Sequence, residues 1–286
     1  MKDATAMTKA AVLGAGTMGH GIAQVCAQAG LEVRLFDLAE EPLRKGLEAI
    51  RSMLDKGVEK GKMAAADADA AFARLRGCNS LEEACAGCDL VIEAVPEKLE
   101  LKRQVFAAVE GMVGREAMLA TNTSSLSIGA IAEVLERPER FLGLHFFNPV
   151  PLMALLEIVT GERTAPAAAE TARALGVRLG KQPIVVRDAP GFASSRLGLA
   201  LGLEAIRMVE QGVASAADID RAMELGYRHP MGPLKLTDLI GLDVRLGIAE
   251  YLASQLGPSF EPPQLLRQMV QDGRLGKKAG RGFYDW

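Results

Sequence analysis

The sequence predicts an α/β protein in which an N-terminal doubly wound sheet, residues 1–187, precedes a smaller all-α C-terminal domain, residues 188–286. Two observations support this fold class. Up to residue 187, short apolar segments alternate with helical patterns, which is typical of a parallel sheet covered by helices on both faces. Beyond DAPGF, residues 188–192, no strand pattern recurs, and the Pro-Gly pair in that segment indicates a domain boundary.

Seven strands are expected in the first domain because each segment is short, apolar and bounded by polar or turn-forming residues. They cover residues 9–13, 31–37, 89–95, 117–121, 141–147, 155–160 and 183–186. Helical periodicity predicts helices at 17–29, 40–60 and 98–112, and the Ala/Asp-rich stretch 64–73 continues as a helix or a loop. In the second domain the same periodicity predicts helices at 192–211, 215–225, 234–255 and 263–272.

Composition argues against several classes of function. A formal net charge of −3 and an aromatic content of 5 % do not supply the cationic, ring-bearing surface that binds nucleic acids. No apolar run reaches the roughly 18 residues that a membrane span requires, and the N-terminal segment lacks a secretory pattern. Four cysteines in 286 residues do not form a disulfide framework, so a cytoplasmic protein is expected.

Cys85 and Cys88 form a single CxxC motif with no second pair at the spacing of zinc ligands. We therefore expect no metal site. A turn before the strand that begins at Asp89 is the simpler interpretation of this motif.

A glycine-rich turn follows the first predicted strand. GAGTMG, residues 14–19, is a GxGxxG motif between a strand and a helix, and the second strand ends in Asp37. In a Rossmann-type βαβ unit the first glycine forms a tight turn, the second admits a pyrophosphate, and the third lets helix and strand pack closely. Asp37 can accept hydrogen bonds from a ribose but repels a 2′-phosphate, so NAD is favoured over NADP. The candidate cofactor ligands are Gly14, Ala15, Gly16, Thr17, Met18, Gly19 and Asp37.

Three polar side chains near predicted strand ends are candidates for chemistry. Ser124 lies in NTSSL just after strand 117–121, although hydroxyls of this segment could instead cap the helix beginning near Ser127. His145 lies in the apolar segment LHFFNP, where an imidazole is either a core residue or a proton acceptor held away from water. Glu157, in LLEIV, is a carboxylate inside an apolar strand and needs a partner. On adjacent elements of the sheet, His145 and Glu157 can form a base oriented by an acid.

Seven motifs, in order along the chain, resemble the L-3-hydroxyacyl-CoA dehydrogenases: GAGTMG, DLVIEAVPE, NTSSL, HFFNPVP, DAPGF, HPMGPLKLTDLIGLD and GKKAGRGFYDW. The likeness covers nearly the whole chain, from Lys9 to Trp286. It implies hydride transfer from the β-carbon of a (S)-3-hydroxyacyl-CoA to NAD, which yields a 3-oxoacyl-CoA. It also implies a short-chain substrate such as 3-hydroxybutyryl-CoA and a place in fatty-acid oxidation or related metabolism.

The resemblance implies roles for individual residues. His145 matches the catalytic base of the family, and Glu157 matches the carboxylate that stabilises the resulting imidazolium. Ser124 matches the serine that hydrogen-bonds the reacting oxygen, and Asn148 matches an asparagine beside the nicotinamide. Three further positions match residues that contact the cofactor in relatives: Glu97, Lys102 and Lys278.

One position departs from the family pattern. The asparagine that precedes an arginine after PGF, and supports the substrate oxygen in relatives, is Ser195 in this chain. Serine is shorter and donates only one hydrogen, so its contact with substrate is direct, bridged by water or lost. The departure bears on rate and substrate range more than on reaction class.

The resemblance further implies that the helical domain helps to form the substrate cleft and joins two copies of the chain as a homodimer. Small residues at positions 198, 200 and 202 would permit close approach of helices there. Two other functions remain open. One is a dehydrogenase of a free hydroxy or sugar acid, similar to gulonate dehydrogenase; the other is a non-catalytic NAD-binding structural protein, which the retention of His145, Glu157 and Ser124 disfavours.

Overall fold

The computed structural model describes residues 2–286, which divide into two compact units. The first unit ends at Asp188, and the second is Ala189–Trp286. The first unit contains the sheet and the second is helical, which confirms the predicted fold class. None of the helices in the described part of the chain combines the length and the apolar character needed to cross a lipid bilayer.

The first unit is built around a sheet of eight strands, counted over residues 2–286. In chain order they are β1 (Lys9–Leu13), β2 (Glu32–Phe36), β3 (Leu75–Cys78), β4 (Leu90–Glu93), β5 (Met118–Thr121), β6 (Phe141–Phe146), β7 (Leu155–Thr160) and β8 (Gln182–Arg187). Their spatial order is β3-β2-β1-β4-β5-β6-β7-β8, so the chain moves away from β1 on one side and returns to β4 on the other. Doubly wound sheets bind ligands at such a reversal, beside the carboxyl ends of the strands.

Two features of the sheet differ from the expected parallel arrangement of seven strands. β7 runs antiparallel to β6, because the short connection 147–154 contains no crossover helix and the chain folds straight back. The strand β3 pairs with β2 at the edge of the sheet, and the sequence analysis did not predict it. Its residues LRGC show neither alternation nor an apolar run, because Arg76 and Gly77 interrupt any pattern.

Seven helices connect these strands, again counted over the described residues. They are α1 (Thr17–Gln28), α2 (Glu40–Glu59), α3 (Ala65–Ala73), α4 (Leu81–Cys85), α5 (Leu99–Glu110), α6 (Ile128–Ala132) and α7 (Pro166–Arg178). α2 buries Leu43, Ile50 and Leu54 along one stripe and leaves its charged residues in solvent, as helical periodicity predicts. The Ala/Asp-rich stretch forms α3 and packs on α1 and α2.

The second unit contains five α-helices in the described chain, together with two single-turn 3₁₀ helices, Pro258–Phe260 and Lys277–Ala279. The α-helices are α8 (Ser194–Glu210), α9 (Ala216–Tyr227), α10 (Pro233–Ile240), α11 (Leu242–Leu256) and α12 (Gln264–Gln271). The expected single helix over 234–255 is wrong, because Gly241 separates α10 from α11 with a φ of 106°, a backbone conformation that favours glycine. The core of this unit gathers Leu199, Leu203, Leu234 and Leu252 among other apolar side chains.

A buried acid fixes the C-terminal turn to the helices of the second unit. The carboxylate of Asp238, in α10, is fully buried. It accepts hydrogen bonds from the backbone N–H groups of Phe283 and Tyr284 and from Nε1 of Trp286, each at 2.9 Å. A buried carboxylate requires such donors, so the segment 283–286 is an integral part of this unit.

The turn between β1 and α1 provides a test of the fold. A Cβ atom at Gly19 would lie 1.7 Å from the carbonyl oxygen of Gly14, whereas a Cβ at Gly16 would meet no atom within 4 Å. We expect Gly19→Ala to lower the free energy of unfolding by about 2–4 kcal/mol, because backbone must move. Gly16→Ala is the matched control and should unfold at nearly the wild-type denaturant concentration. Equal midpoints for the two variants in urea titrations would contradict this account of the turn.

Candidate active site

The first part of the site is the glycine-rich turn of residues 14–19 at the carboxyl end of β1, which together with Asp37 is called the cradle. Gly14 has a φ of 103°, and its backbone N–H donates to the carbonyl of Phe36 at 2.7 Å, which draws the turn toward the end of β2. The space beside Gly16 is open, and α1 begins at the next residue with its N–H groups directed to this space. An anionic pyrophosphate fits such a position because the helix N-terminus supplies donors and positive potential.

Asp37 closes the cradle at the end of β2. Its Oδ2 accepts a hydrogen bond from the backbone N–H of Ala15 at 2.8 Å, so the acid and the glycine turn hold each other in place. A cavity of about 530 Å³ lies here and is lined mainly by apolar side chains, including Leu81, Leu101 and Val105. Apolar walls with an acid at one end suit an adenosine moiety, whose ring is flat and whose ribose presents hydroxyls.

The residues of the cradle therefore fit a dinucleotide. Gly14, Gly16, Thr17, Met18 and Asp37 all line this cavity. Ala15 contributes its N–H to Asp37 instead, and Gly19 contributes the space in which α1 meets the strand.

The second part of the site is a buried acid–imidazole pair. In the antiparallel register of β6 and β7, His145 lies directly opposite Glu157, so both side chains point to the same face of the sheet. Nδ1 of His145 is 2.7 Å from Oε2 of Glu157, and the two residues are 6 % and 0 % exposed. Because a carboxylate can only accept, Nδ1 carries the proton, and Nε2 is the ring nitrogen with a lone pair for chemistry.

The serine-containing loop after β5 forms the third part. Asn122 accepts a hydrogen bond from the backbone N–H of Phe146 at 2.9 Å through its Oδ1, which joins this loop to the end of β6. Ser127, rather than Ser124, caps α6, because its Oγ accepts from the N–H of Ala130 at 3.1 Å. Ser127 thus provides the helix cap, whereas Ser124 lines the neighbouring cavity and its Oγ donates to Oε1 of Glu97 at 3.3 Å.

Glu97 is the acceptor that shapes this loop. Its Oε1 accepts from the Oγ1 of Thr123 at 2.5 Å and from the backbone N–H groups of Ser124 and Ser125 at 2.8 and 3.2 Å. Burial opposes ionisation of this carboxyl, but the charge of Lys102 and the hydrogen bonds from Thr123 and Ser124 outweigh it and lower its pKa. The loop therefore folds around a carboxylate.

Lys102 lies behind this loop. Its side chain is 1 % exposed, and its Nζ lies 2.7 Å from Oε1 of Glu93 and 3.2 Å from Oε2 of Glu97. Glu93, at the end of β4, also accepts from the Oγ1 of Thr121 at 2.7 Å. Sequence reasoning named Glu97 and Lys102 but missed Glu93 and Thr121, although Glu93 is an acid within an apolar strand, the same signal that identified Glu157.

A smaller cavity brings most of these groups together. It has a volume of about 320 Å³ and is lined by Met18, Glu97, Asn122, Ser124 and His145, among others. It shares Met18, Ala94 and Val95 with the cavity beside the glycine turn, so the two are neighbours. An imidazole paired with an acid, a hydroxyl and a dinucleotide cradle at one sheet edge can remove a proton while a hydride leaves.

The remaining predicted residues lie elsewhere. Asn148 is exposed, two residues after the end of β6. Ser195 and Lys278 belong to the second unit: Ser195 lies in the first turn of α8, and the Nζ of Lys278 contacts Oδ2 of Asp243 at 2.6 Å.

The cysteines have no reactive setting. All four are buried, and burial raises the pKa values of Cys85 and Cys88 to about 12 and about 11. Among residues 2–286, no group of three or more His, Cys, Asp or Glu side chains is placed to hold a metal ion.

The ionisation of Glu97 can be measured through the loop that it organises. The backbone N–H of Ser124 donates to Glu97, so its NMR chemical shift should titrate with that carboxyl, and the midpoint should lie below the ordinary value of 4.5. A lowered pKa means that the loop gains stability from the ionised acid and loses it as the pH falls through that midpoint. In Glu97→Gln the Ser124 shift should be flat in this range. A wild-type midpoint at or above 4.5 would contradict the proposed organisation of the loop.

Comparison with known proteins agrees with the fold and the motifs. The family model described as "3-hydroxyacyl-CoA dehydrogenase, NAD binding domain" matches residues 9–189, and that described as "3-hydroxyacyl-CoA dehydrogenase, C-terminal domain" matches residues 191–286. A probable 3-hydroxybutyryl-CoA dehydrogenase of Bacillus subtilis is 45 % identical and covers 96 % of each chain. A 3-hydroxyadipyl-CoA dehydrogenase of Escherichia coli is 42 % identical over 96 % of this chain and 58 % of that protein.

Solved structures give the same result. The crystal structure of (S)-3-hydroxybutyryl-CoA dehydrogenase from Ralstonia eutropha has a TM-score of 0.95 with 41 % identity, and it covers 98 % of this chain and 99 % of that one. The two matched models together span both units, and the Bacillus subtilis and Ralstonia eutropha relatives align over nearly their full lengths. The chain therefore belongs to the 3-hydroxyacyl-CoA dehydrogenase family, whose N-terminal domain binds NAD.

Proposed function

We propose that this enzyme oxidises short-chain (S)-3-hydroxyacyl-CoA thioesters, such as 3-hydroxybutyryl-CoA, to 3-oxoacyl-CoA with NAD. The observation that carries the proposal is the buried pair of His145 and Glu157, 2.7 Å apart, beside a cavity that adjoins the dinucleotide cradle. Alcohol oxidation needs a base for the hydroxyl proton and an acceptor for the hydride, and these two parts of the site supply one each.

The proton moves through His145. Nε2 accepts the proton of the substrate hydroxyl, and the carboxylate of Glu157 stabilises the imidazolium through Nδ1. The hydroxyl of Ser124, which donates to Oε1 of Glu97 at 3.3 Å in this structure, turns to donate to the reacting oxygen and holds it toward the imidazole. The ring of Phe147, whose centroid lies 4.5 Å from that of His145, shields the base from water. NAD held by the glycine turn and Asp37 would supply the acceptor for the hydride of the β-carbon.

The cofactor is held by the first unit in this proposal. The backbone of residues 14–19 receives the pyrophosphate, Asp37 the adenosine ribose, and Asn148 the nicotinamide. Lys102 does not contact the cofactor directly, because its ammonium is buried. It acts through Glu97, whose position it fixes and which in turn holds the loop that contains Ser124. We assign Lys278 to cofactor binding and Ser195 to support of the substrate oxygen from their family positions.

We assign roles to the two domains from the same family positions. Residues 1–187 hold NAD, and the helical segment 188–286 contributes to substrate binding and forms a homodimer. The second unit exposes apolar side chains that a partner copy would cover: Leu197, Leu236, Leu239, Ile240 and Val244 are each 38–71 % exposed. We propose a cytoplasmic enzyme of fatty-acid metabolism, including β-oxidation, that acts without nucleic-acid or membrane partners.

The reverse reaction provides the test of this function. Purified enzyme should oxidise NADH in the presence of acetoacetyl-CoA, and the loss of NADH absorbance measures the rate. A series of 3-oxoacyl-CoA substrates should show the highest kcat/KM for short chains. Turnover of a free hydroxy acid, with none of any 3-oxoacyl-CoA, would contradict the proposal.

Glu157→Gln should separate catalysis from cofactor binding. The amide keeps the shape of the side chain but removes the charge that stabilises the imidazolium, so kcat should fall about 10²–10⁴-fold. The dissociation constant for NADH should stay within a factor of about two, because Glu157 lies outside the cradle. Glu162→Gln, at an exposed site on the same unit, is the matched control and should leave both quantities unchanged. Parallel loss of kcat and NADH affinity would make Glu157 a structural residue.

A further inference from the structure

Lys181 is a buried cation in the first unit. It lies between α7 and β8 and is 7 % exposed. Its Nζ donates to the backbone carbonyl oxygens of Val150 and Met153, at 2.5 and 2.9 Å. Burial alone lowers the pKa of this lysine, with no contribution from a neighbouring charge.

The environment of Lys181 differs from that of Lys102, which is also buried. The ammonium of Lys102 lies between the carboxylates of Glu93 and Glu97. A buried cation without an anion beside it costs free energy. A charged donor, however, makes stronger hydrogen bonds to carbonyl oxygens than a neutral one. The arrangement at Lys181 therefore favours a firm hold on two particular carbonyls over a general gain in stability.

The two carbonyls belong to the connection between β6 and β7, residues 147–154. In this connection the side chain of Val150 is buried, whereas Asn148, Leu152 and Met153 are exposed. An exposed connection has few packing contacts to fix its conformation. The ammonium of Lys181 supplies the missing anchor by binding the backbone itself.

Helix α1 also contacts this connection. A Cβ at Gly21 would lie 2.9 Å from the Cβ of Val150 and 3.6 Å from the Cδ of Pro151, so helix and connection approach as closely as a glycine allows. The N-terminus of the same helix forms part of the cradle. The position of residues 147–154 is therefore set by the cofactor helix and by Lys181 together.

The connection carries two residues of the candidate site. The ring centroid of Phe147 lies 4.5 Å from that of His145. Asn148, which the proposed function assigns to the nicotinamide, is separated by one residue from Val150, whose carbonyl Lys181 holds. A shift of that carbonyl would move Asn148 and leave the glycine turn in place.

We propose that Lys181 is a positioning residue for hydride transfer, which places Asn148 against the nicotinamide half of NAD by holding the carbonyls of Val150 and Met153. This inference rests on the proposed function, and Lys181 itself touches neither cofactor nor substrate. Its effect is confined to the nicotinamide half, because the cradle receives the pyrophosphate and the adenosine.

Binding of NADH and of ADP-ribose, which lacks the nicotinamide, tests the proposal by calorimetry. In Lys181→Met, which removes the donors and keeps most of the volume, the Kd for NADH should rise about 3- to 10-fold, the range expected for one lost hydrogen bond. The Kd for ADP-ribose should stay within a factor of about two. The single-turnover rate of hydride transfer from NADH to acetoacetyl-CoA should fall about 10- to 100-fold, because a small misplacement of a reacting group is costly.

Arg178→Met is the matched control. Arg178 is a cation of the same unit that also donates to backbone carbonyl oxygens, those of Ala4, Met7 and Ala29. Its loss should leave the ratio of the two dissociation constants unchanged.

Two further variants keep the test decisive. Lys181→Gln retains an amide donor on a shorter side chain and should give an intermediate ratio, which settles the question if Lys181→Met does not fold. In an Asn148→Ala background, Lys181→Met should change the ratio by no more than a factor of about two, because its effect passes through Asn148.

Three outcomes would overturn the inference. One is an equal weakening of NADH and ADP-ribose binding in the Lys181 variants, which would make this lysine purely structural. Another is an unchanged affinity for NADH in both variants. The third is the full effect of Lys181→Met in the Asn148→Ala background. Reduction of acetoacetyl-CoA by the wild type tests the proposed function separately, since the binding measurements need no acyl substrate.

Discussion

The site depends on one register, in which β6 and β7 run antiparallel with His145 directly opposite Glu157. A shift of one residue would turn one of the two side chains to the other face of the sheet. Glu157, fully buried, would then lose the hydrogen bond that the Nδ1–H of His145 donates to it. A hydrogen bond to a charged group is typically worth about 1.5–3 kcal/mol, so the contact that orients the base also stabilises the register. The short connection 147–154, which folds back without a crossover helix, is therefore part of the chemistry.

The neighbouring strands use the same principle to shape the serine loop. Glu93, at the end of β4, and Glu97 share the buried ammonium of Lys102, and Glu97 in turn accepts the N–H groups of Ser124 and Ser125. A loop that carries several hydroxyls would otherwise sample many conformations, because each hydroxyl can bond to its own backbone. The carboxylate selects one of them. Acids thus organise both the base and the hydroxyl of the candidate site: Glu157, which is fully buried, and Glu97, whose side chain is 35 % exposed.

The features that could be predicted from the sequence are those that a local pattern of neighbouring residues determines. GAGTMG between a strand and a helix, and an acid inside the apolar segment LLEIV, needed no knowledge of the fold. Features that depend on distant partners could not be predicted. Lys102 has the sequence pattern of an ordinary helix residue, and only the packing of α5 reveals that its ammonium is covered. Arg245, in α11, likewise has the pattern of an ordinary charged helix residue, and only the packing of that helix shows that it is 5 % exposed.

The central claim is that His145 and Glu157 act as one unit in proton transfer. A double-mutant cycle on the single-turnover rate of hydride transfer, with His145→Gln, Glu157→Gln and the double variant, measures this directly. Residues that act as a unit are strongly non-additive, so we expect the double variant to be no slower than His145→Gln alone, within a factor of about two. Rate losses that multiply in the double variant would show that the two side chains act independently and would contradict the account.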